Sequence, residues 1–309
     1  MSFSSDLLAG QVGIVTGAGS PLGIGRSMVI ALAAAGVKAV YACDLNLANI
    51  PSLQEFVKAA GYATHVEGKL LDVADELQTV ELLKEITKKH GRFDFFFANA
   101  GYAKYRNLDD LSPQSFDRAI AVMTRSVYLA IKYGSKAMAV TSPEKPQSSG
   151  SFVITNSCSA YLGSYADLAY TSAKSALLGM VASASVQLSH SNIRINAIAP
   201  GFTSSSILAC ADQVEKGGEF KLSQTAEEVE DVKKQHAKFF VEAGLMANPQ
   251  YYYNRTQEAE EIANVAVFFA SDLAKSVNGQ TLLADSGKTA AAIGEGCTGP
   301  IPPIQPLEL

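Results

Sequence analysis

Short apolar runs alternate with longer stretches of helical spacing along most of the chain. Residues 12–15, 39–43, 64–67, 93–98, 152–155, 193–198 and 281–284 are the short runs, and they predict strands. Residues 24–35, 53–60, 76–89, 116–138, 170–188 and 258–271 carry apolar positions at helical spacing and predict helices. Gly36, Gly61 and the pair His90-Gly91 supply helix stops. Strands that alternate with helices of this length imply βαβ units. Such units build a parallel sheet with helices on both faces and right-handed crossovers. The strand runs are nearly all apolar rather than alternating, as a doubly covered sheet requires. The expected class is therefore α/β: a doubly wound, three-layer α/β/α arrangement around a seven-stranded, mostly parallel sheet.

Length and composition narrow this without changing it. The 309 residues are enough for one large domain, and we read 1–309 as a single one. Residues 141–150 (TSPEKPQSSG) form a polar loop, 206–255 is a long charged insertion, and 288–309 is a Gly/Pro-rich, extended tail. The net charge of −5 argues against nucleic acid or an anionic membrane as the main partner. Cys43, Cys158, Cys210 and Cys297 are widely spaced, with no CxxC pair. They fit reduced thiols, and neither a disulfide frame nor a metal site is expected. MSFSSDLLAG lacks the basic start and apolar run of a signal peptide, and no run reaches 18 apolar residues, so a cytoplasmic protein is expected.

The first chemical signal is QVGIVTGAGSPLGIGRS, residues 11–27. Gly17 directly follows a predicted strand, and Gly25 opens a predicted helix. In that setting glycines permit a tight turn and let backbone N–H groups approach a pyrophosphate. A glycine-rich surface turn is the plain alternative. The stretch is not GxGxxG, because Leu22 stands where the third glycine belongs, and Arg26 rules out a P-loop lysine.

The loop resembles the TGxxxGxG loop of the short-chain dehydrogenase/reductase family, lengthened by two residues. Other stretches resemble that family in order. Asp44 ends the second strand run, Leu71-Asp72-Val73 and Ala98-Asn99-Ala100-Gly101 follow, and Tyr170-Thr-Ser-Ala-Lys174 stands 13 residues after Ser157. Pro200-Gly201-Phe202-Thr203 and the block 258–287 complete the resemblance, which covers roughly residues 9–206 and 256–287. It implies a Rossmann-like fold that binds a nicotinamide dinucleotide. Gly17, Gly19, Ser20, Leu22, Gly23 and Ile24 would cradle the pyrophosphate. Asp44 would accept hydrogen bonds from the adenosine ribose and repel a 2′-phosphate, so NAD(H) is expected over NADP(H). Leu71, Asp72 and Val73 would contact adenine. Asn99, Ala100 and Gly101 would line the ribose side, and Pro200, Gly201 and Thr203 the nicotinamide side.

The same resemblance makes Tyr170 the general acid/base between an alcohol and a ketone. A free phenol titrates near pH 10, and a nearby Lys174 ammonium is expected to bring that down. Lys174 would also hold the nicotinamide ribose. Ser157 would orient the substrate oxygen, with Ser159 as a rival for that role. One position departs from the pattern: the family's fourth catalytic residue, an Asn 24 residues beyond Asn99, is Met123 here. A thioether donates no hydrogen bond. Thr124, about 100° further round the helix, is a poor substitute.

Segment 206–255 falls where this family carries its substrate loop. Its Phe239-Phe240, Leu245-Met246 and Tyr251-Tyr252-Tyr253 read either as a lid over an apolar pocket or as core and subunit contacts. Ser159, Tyr165 and Phe202 are further candidates for the substrate wall, with Tyr102 and Tyr161. The helix carrying Tyr170 has small or apolar residues on several faces, which predicts a homodimer or homotetramer. The expected activity is NAD(H)-dependent interconversion of a secondary alcohol and a ketone on an apolar small molecule. The alternatives are a dinucleotide-binding sensor, or a lyase or isomerase, with redox turnover altered or lost.

Overall fold

The computed structural model describes residues 4–207, 211–216 and 255–291, isolated positions from 231 to 242, and Ile304. Seven strands run β1 (Val12–Thr16), β2 (Ala39–Asp44), β3 (His65–Leu70), β4 (Phe95–Ala98), β5 (Gly150–Thr155), β6 (Ile193–Pro200) and β7 (Thr281–Ala284). They form one sheet in the order β3-β2-β1-β4-β5-β6-β7. Every neighbouring pair is parallel, so the sheet is wholly rather than mostly parallel.

The helices are α1 (Ile24–Ala34), α2 (Ile50–Ala59), α3 (Glu76–His90), α4 (Pro113–Ile120), α5 (Ser126–Met138), α6 (Leu168–Leu188), α7 (Ala211–Lys216) and α8 (Ala259–Ala270). Alternate residues of each strand serve opposite layers. Val15, Val40, Phe95 and Phe97 join the core shared with α1 and α8. Ile14, Tyr41, Phe96 and Phe152 join the core shared with α3, α5 and α6. Both faces are thus buried, which is why the strand sequences are apolar without interruption.

Helix boundaries follow local chemistry. Asp167 caps α6 by accepting from the Tyr170 N–H at 2.9 Å, so the helix starts at Leu168, two residues before the expected start. Ser112 caps α4 in the same way, with Pro113 in its first turn, so it too starts early. Gly91 closes α3 at φ +66°, in the left-handed region that glycine tolerates.

The single helix expected over 116–138 is instead two helices joined by a π-helical turn, Ala121–Arg125. Side-chain hydroxyls there compete for the regular ladder. Ser126 Oγ bonds the Val122 carbonyl at 2.5 Å, and Thr124 Oγ1 reaches the Ala173 carbonyl of α6 at 3.1 Å. The polar loop 141–150 is also more than a solvated turn. Its Lys145 is buried, donating to the carbonyls of Met138 (2.8 Å) and Phe93 and lying 3.5 Å from Asp94.

β1 lies between β2 and β4, and the chain leaves it in opposite directions on either side. At such a reversal the connecting loops diverge and leave a crevice beyond the carboxyl ends of the strands. The expected lid aromatics Phe239, Phe240, Leu245, Met246 and Tyr251–Tyr253 lie outside the described residues, as do Cys210, Cys297 and most of the tail.

Candidate active site

A single cleft opens at that crevice. Among the described residues, it is lined by every residue expected to hold a dinucleotide or substrate except Gly19, Tyr102 and Tyr161. Gly19 sits behind the wall, where its N–H donates to Asp44 Oδ2 at 2.8 Å.

The glycines are demanded by closeness. Gly17 turns the chain at φ +71°. A Cβ on Gly25 would stand 2.2 Å from the Gly17 carbonyl oxygen, and one on Gly19 would stand 2.2 Å from the Asn46 carbonyl oxygen. No side chain fits at either point. Gly23 caps α1 without any side-chain hydrogen bond, so the first N–H groups of α1 keep their donors for an anion. The lengthened loop is tied to the segment after β6: the Leu22 carbonyl accepts from the Ser206 N–H at 2.7 Å.

Asp44 is the last residue of β2, and its second oxygen accepts from the Asn46 N–H at 3.1 Å. Burial raises its pKa, and the backbone N–H donors of Gly19, Asn46 and Leu45 oppose that. Asp72 accepts from Arg118 Nη2 at 3.0 Å and from the Ala74 N–H at 2.9 Å. Asn99 ties three strand ends together: its amide donates to the Thr16 carbonyl (3.0 Å) and accepts from Thr155 Oγ1 (3.0 Å).

Tyr170 and Lys174 lie on one face of α6 and are both buried. Lys174 Nζ donates to the Thr155 carbonyl at 2.7 Å and stands 5.6 Å from the centre of the Tyr170 ring. Burial lowers the Lys174 pKa to about 8. Burial pushes the Tyr170 phenol above its ordinary value, against a lowering effect of the Ser157 hydroxyl. Burial disfavours charge on both groups, and on Tyr170 it outweighs any lowering by Lys174. Ser157 Oγ accepts from the Ser159 N–H at 3.1 Å, and the two hydroxyls are 3.2 Å apart.

Met123 sits in the π-helical turn, 1% exposed. A Cβ on Gly101 would lie 3.5 Å from its sulfur and 3.8 Å from Lys174 Nζ, so thioether and amine converge there. Thr124 faces α6 instead of the cleft, as its angle on the helix predicts.

Tyr165 and Phe202 both line the cleft and pack on each other with ring centres 5.3 Å apart. Two other tyrosines do not join them. Tyr102 is buried in the core with Met123 and Tyr170, its hydroxyl without a partner, and Tyr161 is 43% exposed outside the cleft. The lining also includes Tyr105, Arg118, Asn156, Cys158, Ile207 and Val214, which the motifs did not single out. Asn156 and Cys158 flank Ser157 and were within reach of a sequence argument; Ile207 and Val214 fall in the segment 206–255 expected to be the substrate loop, though neither was singled out within it.

A family model described as short chain dehydrogenase matches residues 11–216. The chain belongs to the short-chain dehydrogenase family. A second model, described as enoyl-(acyl carrier protein) reductase, matches residues 228–289. Levodione reductase from Leifsonia aquatica is 31% identical over 287 residues, covering 91% of this chain and 95% of the relative. A 3-oxoacyl-(acyl-carrier-protein) reductase from Thermotoga maritima is 28% identical over 284 residues, covering 91% and 98%. The crystal structure of levodione reductase superposes with a TM-score of 0.74 at 27% identity, covering 92% of this chain and 99% of that one. This dehydrogenase is thus an oxidoreductase acting on CH–OH groups of small molecules, in a family that binds NAD(P). Among the described residues no helix is long and apolar enough to cross a membrane.

Proposed function

We propose that this dehydrogenase interconverts a secondary alcohol and a ketone on an uncharged, apolar small molecule, using NAD(H) in preference to NADP(H). The observation that carries the reading is the convergence of Ser157, Tyr170 and Lys174 on one cleft whose far end is a glycine cradle. Fit to a dinucleotide is supported by the points where a Cβ would collide and by the uncapped start of α1. Gly17, Ser20, Leu22, Gly23 and Ile24 would hold the pyrophosphate. Asp44 would take the adenosine ribose, Leu71 to Val73 the adenine, and Asn99 to Gly101 with Pro200, Gly201 and Thr203 the nicotinamide half. When bound, the nicotinamide supplies hydride acceptance or donation.

The residues of the chain do the rest. Tyr170 moves a proton at its hydroxyl to or from the substrate oxygen. Ser157 donates a hydrogen bond to that oxygen, and its influence on Tyr170 favours it over Ser159 for this role. Lys174 holds the ribose. Met123 offers no relay donor beside Lys174, so we expect slow proton exchange rather than lost chemistry. Asp44 places a carboxylate where a 2′-phosphate would stand, which supports NAD(H). Cationic Arg118 at the wall is paired with Asp72, and Tyr165, Phe202 and Ile207 add apolar surface to the lining, which supports an uncharged substrate.

Ala176, Gly179, Ala182 and Val186 form an exposed stripe on α6, and a stripe of that kind supports a homodimer or homotetramer. Light scattering at micromolar concentration tests it, and a monomeric mass would count against it. Buried, free Cys43 and Cys158 suit a reducing, cytoplasmic setting. The activity test is oxidation of NADH by a panel of ketones in wild type and Tyr170→Phe. The account expects turnover in the first and a loss of at least about a hundredfold in the second. Equal turnover in both would refute it.

A further inference from the structure

One wall of the substrate end belongs to α7: Val214, with Ile207 just before the helix, lines the cleft. Charged groups tie this short helix to the body. Arg118 donates to the Val214 carbonyl from Nε at 3.2 Å. Glu215 accepts from Arg106 Nη1 at 2.7 Å and from Lys104 Nζ. Arg106 also grips Asp167 Oδ2 through Nε at 2.9 Å and Nη2 at 2.8 Å. The other oxygen of Asp167 accepts the Tyr170 N–H at 2.9 Å. A single guanidinium therefore links the substrate wall to the first turn of the helix that carries Tyr170 and Lys174.

The relay is largely shielded from water. Side-chain exposure is 14% for Arg106, 12% for Glu215 and 2% for Asp167. A planar, five-donor guanidinium can engage two carboxylates at once, and an ammonium cannot copy that geometry. Shielded ion pairs are weak evidence for net stability, because desolvation offsets their attraction. Their value here lies in direction: they fix where α7 stands relative to the Tyr170 backbone. Ala211 and Val214 share an apolar cluster with Ala169, Tyr170 and Tyr102, but apolar packing sets no unique register.

We propose that Arg106 is a positioning residue, which holds the α7 wall and the Tyr170 helix in one geometry through Glu215 and Asp167. This rests on the assignment of Tyr170 as the acid/base group, and the test separates the two. Hydrogen exchange would be measured on wild type, Arg106→Gln and Glu215→Gln. Amides at 168–173 should exchange at least about threefold faster in both variants: Arg106→Gln removes the anchor of the Asp167 cap, and Glu215→Gln frees the guanidinium at its far end, so that it holds the cap less firmly. Arg106→Lys should recover part of that protection.

Steady-state kinetics with NADH and cyclohexanone give the second readout. Glu215→Gln should raise KM at least about fivefold with kcat within about twofold, while Arg106→Gln should also lower kcat. Unchanged exchange at 168–173 in both variants would overturn the proposal. So would a lower melting temperature with KM and kcat unmoved. The exchange result decides the coupling even if cyclohexanone is not turned over. Failure of the wild type to bind NADH in a fluorescence titration would instead remove the functional reading.

Discussion

Lys174→Met should make the protein more stable and inactive, and the gain should fade as pH rises. Lys174 is 4% exposed, and burial lowers its pKa from 10.5 to about 8. At about 1.36 kcal/mol per pKa unit, that fall means about 3 kcal/mol of strain in the charged folded state, an order-of-magnitude figure. Between pH 8 and 10.5 the unfolded chain holds this proton and the folded chain does not. Wild-type stability therefore rises through that window as the contribution of this group. Below about pH 8 both states are protonated and the full penalty applies. Methionine removes the penalty and leaves the Thr155 carbonyl without its 2.7 Å donor, a loss of about 1–3 kcal/mol. The net expectation at pH 7 is a gain of up to about 2 kcal/mol, falling to zero or below near pH 10. Urea unfolding of both proteins at pH 7 and pH 9.5 measures it. A difference that does not change with pH, or a variant much weaker at pH 7, would refute the reasoning. A residue whose removal stabilises the fold is one retained for what it does.

Other substitutions test neighbouring links. Gly25→Ala must displace the Gly17 carbonyl from 2.2 Å, and NADH affinity should fall at least about tenfold by fluorescence titration; unchanged affinity would contradict the cradle. Asp44→Ser should narrow or reverse the preference for NADH over NADPH, read as the ratio of the two dissociation constants. Met123→Asn restores a donor beside Lys174 and should raise kcat with little change in KM, whereas an unchanged kcat would mean the proton path runs elsewhere. Asp94→Ala strips Arg92 and buried Lys145 of their carboxylate and the Val12 N–H of its 2.9 Å acceptor; a cost of about 3–5 kcal/mol should appear in the urea midpoint.

The sheet was legible because a strand buried on both faces has an apolar signature, and β1, β2 and β4 to β6 carry it clearly. The binding end was legible because backbone crowding leaves only glycine possible at Gly17, Gly19 and Gly25, and that constraint is written directly in the residue type. Tyr170 and Lys174 were legible through spacing on one helix. What escaped depends on contacts between distant segments. The π-helical turn at Ala121–Arg125 carries Thr124, whose hydroxyl bonds a carbonyl on α6, 49 residues away in sequence. Arg106 and Glu215 are 109 residues apart, and no spacing rule joins them. Tyr102 follows the Asn99–Gly101 stretch yet turns into the core, since side-chain direction there is set by packing around Met123. The protonation balance of Tyr170 and Lys174 also depends on burial, which adjacency in sequence does not reveal.

The measurement that tests the central claim most directly is a pair of fluorescence titrations of the wild-type protein, one with NADH and one with NADPH. The account predicts that NADH binds, at least about tenfold tighter than NADPH, because Asp44 faces the cleft where the ribose hydroxyls would lie. Tighter NADPH binding would contradict the role given to Asp44, and binding of neither would contradict the assignment of the cleft as a dinucleotide site.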